Sequence, residues 1–506
     1  MREMEINWKG LQNGSDIRGV AMDGIPGEQV NLDAEVVKTL GRAFAIWLKT
    51  ELTIEKPLVA VGRDSRLTGE ILIKAFINGL NLENVDAADC GLASTPAMFM
   101  ATRSKKLNAI AGVMITASHL PFNRNGLKFF VHKGGLEKED ISRILEIAAS
   151  VKSETSQNMG KTVEYDLISE YSEILVETIR KGVNHPDYIR PLGGMKILVD
   201  AGNGAGGFFA HKVLVPLGAD ISGSQFLEPD GNFPNHVPNP EDEKAMNSVC
   251  QAVINNKAGF GIIFDTDVDR SAVVDNLGNP INRNALIALI SAIIAEEHPK
   301  SYIVTDSITS EGLSWFINKK LNCIHHRFKR GYKNVINEAI RLNNQGKACW
   351  LAIETSGHAA LKENYFLDDG AYLVAKILIK LAQLQLNGKN INELINEMPV
   401  PAESIEYRLA IKSPDFKVYA QNVLEKIREK VKTYHQWEIE PVNYEGIRVR
   451  CMNQDEKGWF LARMSLHDPI LPVNIESDVE NGTKLIASKL RKILGEFELL
   501  DFGSWH

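Results

Sequence analysis

Apolar residues along this chain come in short runs, each closed by a small polar loop and followed by a helix-like pattern. Pro57 to Val61 leads into Gly62-Arg-Asp-Ser-Arg66, Met195 to Val199 into Asp200-Ala-Gly-Asn-Gly-Ala-Gly206, and Tyr302 to Val304 into Thr305-Asp-Ser-Ile-Thr309. A further run, Ile110 to Ile115, ends in Thr116-Ala-Ser-His119, then a polar turn with Pro121 and Asn125-Gly126, then Lys128. Strands alternating with helices predict parallel-rich α/β layers. Openings spaced roughly one hundred to two hundred residues apart predict several related α/β domains. The C-terminal region reads differently. Ser404 to Ile411, Gly446 to Cys451 and Trp459 to Met464 predict strands, and Lys484 to Phe497 a closing helix, which together make a small α+β domain.

Length fits this pattern, because 506 residues exceed what one compact core holds. Stretches rich in Pro and Gly, Asn184 to Gly194, His298 to Lys300 and Pro399 to Pro401, read as linkers. They divide the chain at 1–188, 189–298, 299–400 and 401–506. The net charge of −7, with no long basic block, argues against a dedicated nucleic-acid binder. A local basic pocket for an anionic substrate remains compatible with it. The first ten residues lack the apolar core of a signal peptide. The longest apolar run, Ala285 to Ala295, is too short to span a bilayer. Five scattered cysteines, Cys90, Cys250, Cys323, Cys349 and Cys451, form no CxxC pair. Neither a disulfide framework nor a cysteine metal site is indicated, and the expectation is a reduced, cytoplasmic protein.

Candidate chemistry concentrates in loops. In Gly261-Ile-Ile-Phe-Asp-Thr-Asp-Val-Asp-Arg270, three aspartates alternate just after an apolar run. Carboxylates so gathered repel one another, and a hard divalent cation such as Mg²⁺ relieves this by taking their oxygens. A solvated acidic turn is the plain alternative. An EF-hand fits poorly, since Arg270 and Asn276 stand where its glycine and glutamate belong. Ile353-Glu-Thr-Ser-Gly-His358 offers carboxylate, hydroxyl and imidazole to sugar hydroxyls, or merely caps a helix. Arg327-Phe-Lys-Arg-Gly-Tyr-Lys333 suits an anion, or is a solvated basic face. Arg463 with Ser465, and Arg18 between glycines in Gly14-Ser-Asp-Ile-Arg-Gly19, suit phosphate contacts.

Taken together these strings resemble the α-D-phosphohexomutases, the phosphoglucomutase and phosphomannomutase family. The family pattern TASHNP followed by NGxK is similar to Thr116-Ala-Ser-His-Leu-Pro121 and Asn125-Gly-Leu-Lys128. DxDxDR matches Asp265 to Arg270, and ExSGH matches Glu354 to His358. Pro229-Asp-Gly-Asn-Phe-Pro-Asn-His-Val-Pro-Asn-Pro240 is a further family-like string, and the order of all of them is the family's. The resemblance implies an α/β fold of four domains around a central cleft, three related mixed α/β domains and a C-terminal α+β domain. These would carry, in order, the phosphoserine, metal-binding, sugar-binding and phosphate-binding loops. It implies catalytic roles for Ser118, Lys128, Arg18, His119 and Arg270, with Ser118 carrying a phosphoryl group. Mg²⁺ would be held by phosphorylated Ser118, Asp265, Asp267 and Asp269. Glu354, Ser356 and His358 would contact sugar, and Lys333, Arg463, Ser465 and His467 phosphate. Lys128 would act as general acid or base, the base role requiring a fall from its usual pKa near 10.4. The implied partners are phosphorylated hexoses, met by a monomer or homodimer with no nucleic acid or membrane.

Two departures bear on the activity. Leu120 stands where TASHNP has Asn. The phosphate loop, RxSGTEP in the family, reads Arg463-Met-Ser-Leu-His-Asp-Pro469, so Leu466, His467 and Asp468 replace Gly, Thr and Glu. Loss of the glycine removes backbone latitude, and His467 exchanges a hydroxyl for a titratable ring. An altered grip would release the bisphosphate intermediate and make the enzyme a sugar-bisphosphate synthase, which resembles the family's glucose-1,6-bisphosphate synthase branch, where fructose 1,6-bisphosphate recharges the serine. The alternative is an ordinary phosphoglucomutase or phosphomannomutase. Two readings from other classes are a phosphatase of the haloacid-dehalogenase type with Asp265 as nucleophile, and a metal-dependent sugar-binding protein, which gives Ser118 and Lys128 no shared use.

Overall fold

The computed structural model of the protein describes residues 6–52, 54, 57–151, 158–465, 468–503 and 505. The chain forms two compact units, Met1–Asn282 with Ser356–Asn392, and Arg283–Thr355 with Glu393–His506.

The first unit holds a mixed eight-stranded sheet. Leu58–Arg63 lies at its centre, parallel to Ala111–Ile115 on one side and to Asp86–Leu92 on the other. Arg124–Val131 then runs antiparallel to Ala111–Ile115, and Asp16–Val20 antiparallel to Arg124–Val131. Phe44, Phe76 and Phe129 fill the layer between helices and sheet, with the Phe44 and Phe129 rings 4.8 Å apart. The helices Ala34–Leu52 and Gly69–Leu82 approach unusually closely where glycines face each other. A Cβ on Gly41 would stand 2.3 Å from the Phe76 carbonyl oxygen, and one on Gly79 2.1 Å from that of Lys38. Only glycine permits this contact.

A second sheet in this unit is built on Phe260–Phe264, a run buried at every position. It pairs parallel with Ile197–Asp200 and antiparallel with Ser271–Val274. Burial on both faces explains why it reads as continuous apolar sequence rather than as alternation. A hairpin of Ala359–Leu361 and Leu367–Asp368 completes the unit, followed by the helix Gly370–Leu386.

In the second unit, Ile324–Arg327, Tyr302–Thr305 and Cys349–Ile353 form three parallel strands. The apolar run Ala285 to Ala295 lies within the helix Arg283–Glu297, buried from Leu286 to Ile294. It is a core helix, and no helix among the described residues is long and apolar enough to cross a membrane. The C-terminal region is an antiparallel six-stranded sheet, ordered Trp437–Ile439, Ile447–Cys451, Gly458–Ala462, Ile470–Ser477, Glu403–Ile411 and Leu500–Asp501. Helices Phe416–Val431 and Gly482–Leu494 pack on it around Val423, Phe460 and Leu490. The expected α+β character holds, and the predicted elements end within about three residues of those observed, as frayed ends do. The mixed α/β architecture with a different C-terminal domain is as expected.

Candidate active site

Ser118 sits just beyond the C-terminal end of the strand Ala111–Ile115, where α/β sheets offer their loops to ligands. It is buried, with a left-handed backbone at φ +51°. Its N–H donates to Thr116 Oγ1 at 2.9 Å, which helps hold this uncommon conformation. Sheet register then supplies two cations. Lys128 lies opposite Met114 on the neighbouring strand, and Arg18 lies opposite Gly126 on the next. Arg18 Nη1 donates to the Thr116 carbonyl at 2.5 Å and Nη2 to Asp16 at 2.8 Å.

The three aspartates occupy the turn between Phe260–Phe264 and Ser271–Val274. All are buried, and one oxygen of each lies within 4.8 Å of the others. The strands on either side draw the turn inward, which a solvated acidic loop would not tolerate. Ser118 Oγ donates to Asp265 Oδ2 at 3.1 Å. Arg270 Nη2 donates to Ser118 Oγ at 3.1 Å and also to His119 Nδ1, while its Nε reaches Asp265 at 3.2 Å. His119 is thus an acceptor that helps aim Arg270.

Lys128 Nζ ion-pairs with Asp267 at 2.9 Å and with Asp269. Burial by itself pushes Lys128 down, but Asp267 and Asp269 outweigh it and hold the ammonium well above the usual lysine range. Asp16 adds to them and Arg18 opposes them; the fall that a base role requires would come with a cation on the same carboxylates. Burial, with Asp269 and Asp267 beside it, pushes the Asp265 carboxyl well above the carboxylate range. Asp267 Oδ1 and Asp269 Oδ1 are buried without a hydrogen-bond partner. Crowded oxygen donors with orphaned lone pairs fit a hard divalent cation such as Mg²⁺.

His358 joins this cluster from the hairpin loop, bridging its backbone to Arg270. Its Nδ1 donates to Asp368 Oδ2 at 2.6 Å and lies 3.8 Å from Asp269. Burial opposes its charge, yet Asp368 and Asp269 raise it to about 9, so it is an imidazolium near neutral pH. Ser356 is buried on the same loop. In the second unit, Glu354 Oε1 accepts the Gly331 N–H at 2.6 Å, which ties the Glu354 loop to the basic loop. Gly331 has φ +114°, a conformation that suits glycine. Glu445 Oε2 accepts from the Arg330 N–H at 3.1 Å and from Ser307 Oγ at 2.5 Å. Lys333 is half-buried in the first turn of the helix Tyr332–Asn344. Arg463 is buried, and burial lowers its pKa despite Glu445 beside it; its Nε has no hydrogen-bond partner. Ser465 Oγ accepts the Asp468 N–H at 3.3 Å. Leu466 and His467 lie outside the described residues.

The first unit therefore gathers Ser118, His119, Lys128, Arg18, the three aspartates, Arg270 and His358. The second gathers Glu354, the basic loop and Arg463 near Glu445. Sequence reading missed Asp368, Thr95, whose hydroxyl donates to Asp267 at 2.5 Å, and Asn239, which accepts from Arg270 at 3.3 Å. Asn239 belongs to the Pro229-to-Pro240 string, the one signal that pointed its way.

Three family models match the chain. They are described as phosphoglucomutase/phosphomannomutase α/β/α domains I, II and III, at residues 10–157, 171–278 and 282–401. A phosphomannomutase/phosphoglucomutase of Pseudomonas aeruginosa is 30% identical over 481 residues, 95% of this chain and 94% of that protein. One of Pseudomonas syringae pv. tomato is 29% identical over 491 residues, 96% of each. Among solved structures, a phosphoglucomutase/phosphomannomutase family protein from Burkholderia thailandensis superposes with a TM-score of 0.77 at 27% identity, covering 96% of each chain.

Proposed function

Since this chain belongs to the phosphoglucomutase/phosphomannomutase family, we propose that it moves phosphoryl groups between hexose phosphates through a phosphoserine at Ser118, with Mg²⁺ held by Asp265, Asp267 and Asp269. One observation carries this: Ser118 Oγ lies within hydrogen-bond reach of both Asp265 and Arg270. A nucleophile between a carboxylate and a guanidinium, beside a buried lysine, serves phosphoryl transfer. It has no purpose in a sugar-binding module. Bound magnesium withdraws charge from the phosphoryl group.

The chain's own residues do the positioning that phosphoryl transfer chiefly requires. The incoming hexose phosphate offers a hydroxyl to the phosphorus on Ser118. A bond forms from that oxygen to phosphorus as the Ser118 Oγ–P bond breaks. Arg270 offers a donor at Ser118 Oγ, where charge develops. Lys128 gives Ser118 Oγ its proton and takes one from the attacking hydroxyl. Glu354, Ser356 and His358 contact sugar hydroxyls, and Arg463 with Lys333 holds the phosphate that does not react. The product of this half-reaction is a hexose bisphosphate, which must turn over before the other phosphate returns to Ser118.

The relatives are named mutases over nearly the full chain, which supports interconversion of hexose 1-phosphate and 6-phosphate, of glucose or mannose. A second reading rests on Leu466, His467 and Asp468 in the phosphate loop. Release of the bisphosphate there makes the enzyme a glucose-1,6-bisphosphate synthase recharged by fructose 1,6-bisphosphate. The two are separated by mixing enzyme, Mg²⁺, glucose 1-phosphate and fructose 1,6-bisphosphate, and following every phosphorylated sugar by ³¹P NMR. Glucose 6-phosphate with only catalytic bisphosphate supports the mutase. Net glucose 1,6-bisphosphate matched by fructose monophosphate supports the synthase. Neither product overturns both.

A further inference from the structure

The loop Gly62-Arg-Asp-Ser-Arg66 supplies no group to the chemistry above, yet its last side chain is among the largest fully buried ones in the protein. Arg66 Nη2 donates to the carbonyls of Ser118 at 2.5 Å and Leu120 at 2.6 Å. Nη1 donates to those of Pro121 at 2.7 Å and Arg124 at 2.9 Å. One guanidinium thus gathers four carbonyl oxygens from the segment that begins at the candidate nucleophile. Those dipoles converge and repel, so the loop holds this shape only around a cation with several directed donors.

Asp64 locks the same device. It accepts the Arg66 N–H at 2.9 Å, lies 3.3 Å from Arg66 Nε, and accepts Thr116 Oγ1 at 2.6 Å. Thr116 Oγ1 in turn accepts the Ser118 N–H. Ser118 is therefore gripped at both its N–H and its carbonyl, the two ends of the residue whose φ is left-handed. From the other side, the Phe233 ring lies 5.4 Å from the guanidinium carbon, and it belongs to the Pro229-to-Pro240 string that also provides Asn239 to Arg270.

We infer that Arg66 is a positioning residue for phosphoryl transfer: it fixes the backbone of the Ser118 loop, and so the aim of Oγ at the substrate, without touching substrate itself. Its charge is balanced by Asp64, so its contribution is geometry rather than field. The inference rests on the reading of Ser118 as the phosphorylated nucleophile.

The test is Arg66→Lys, which keeps the charge but cannot span four carbonyls. Phosphoserine content is counted by intact-protein mass, and turnover is expressed per phosphorylated Ser118. A small misplacement of reacting atoms costs on the order of a hundredfold. The per-site kcat is expected to fall by about that much, with KM for hexose phosphate within threefold (about the noise of such comparisons). A merely structural role lowers the folded fraction and leaves the per-site kcat unchanged, and that result overturns the inference. If Arg66→Lys does not fold, Phe233→Leu decides: it keeps every hydrogen bond, removes the covering ring, and is expected to lower per-site kcat severalfold. An unchanged value there overturns the inference equally. Wild-type protein given glucose 1,6-bisphosphate that acquires no phosphate on Ser118 would instead refute the phosphoserine reading beneath it.

Discussion

Ser118 Oγ and Asp265 Oδ2 lie 3.1 Å apart although 147 residues separate them in sequence. The contact joins the loop after one sheet to the acidic turn of another. It makes removal of the hydroxyl the most direct test of the chemistry. Ser118→Ala is expected to lower turnover by about 10³-fold or more and to abolish phosphate incorporation from a hexose bisphosphate, both followed by assay and mass spectrometry. An enzyme that keeps wild-type turnover would move the nucleophile to Asp265.

Chelation is expected to abolish activity, with Mg²⁺ restoring it. Because Asp267 and Asp269 each bury an oxygen without a hydrogen-bond partner, bound cation relieves a cost in the folded state. Mg²⁺ should therefore raise the melting temperature. Asp267→Asn should raise the Mg²⁺ concentration for half-maximal activity at least about tenfold. A titration of activity against Mg²⁺, alongside melting curves, checks both.

Glu476 makes stability fall with pH. Burial, only partly offset by the hydrogen bond from Trp459 Nε1, pushes this carboxyl up from 4.5 to about 7. Between those values the folded state holds a proton the unfolded state has lost, so stability declines as pH rises through the window and is flat above it. The decline amounts to about 3 kcal/mol at most. Glu476→Gln keeps an acceptor for Trp459 and removes the ionisation. Its melting temperature should gain on wild type as pH rises from about 4.5 to about 8, from the lower edge of the window to beyond its upper edge. A difference that does not vary with pH would refute this.

Tyr171 donates to both oxygens of the buried Asp369, at 2.6 and 2.8 Å. Tyr171→Phe leaves that carboxylate one donor short, with Asn364 and the Tyr372 N–H still in place. Urea denaturation should show a loss of about 1–3 kcal/mol. A neutral result would mean that water or the two remaining donors satisfy the carboxylate.

Arg463 is the buried cation nominated for the non-reacting phosphate. Arg463→Met removes charge and fork together and should raise KM for hexose phosphate by roughly thirtyfold or more, while Ser118 still takes phosphate from a bisphosphate. Steady-state kinetics with a phosphorylation assay separates the two effects.

The parts legible in sequence are those whose members are neighbours in the chain. Asp265, Asp267 and Asp269 alternate within one turn, and Ser118 stands in a string of fixed order, so pattern alone found them. Thr95 and Asp368 were not legible, because each meets the acidic turn only through tertiary packing; Thr95 lies 172 residues from Asp267. Arg66 was visible as part of a polar loop, but nothing in its spacing marks the four carbonyls it meets. The carboxylates that face Lys128 were not legible for the same reason. Which carboxylates face a lysine depends on strand register and on the turn packed above it, and neither is written locally. Strands of the C-terminal sheet were legible where their runs alternate, as in Tyr407 to Ile411, or bury cleanly, as in Gly458–Ala462.

The first unit is closed by a late segment, Ser356–Asn392, after an excursion that begins at Arg283. Asp269 is thus made long before His358, the imidazolium that faces it. At ordinary translation speeds of about 5–20 residues per second, the ribosome runs for several seconds with the acidic turn made and its imidazolium still unsynthesised. A nascent chain stalled before residue 356 should then hold this turn in a protease-sensitive state, and one released past residue 392 should not.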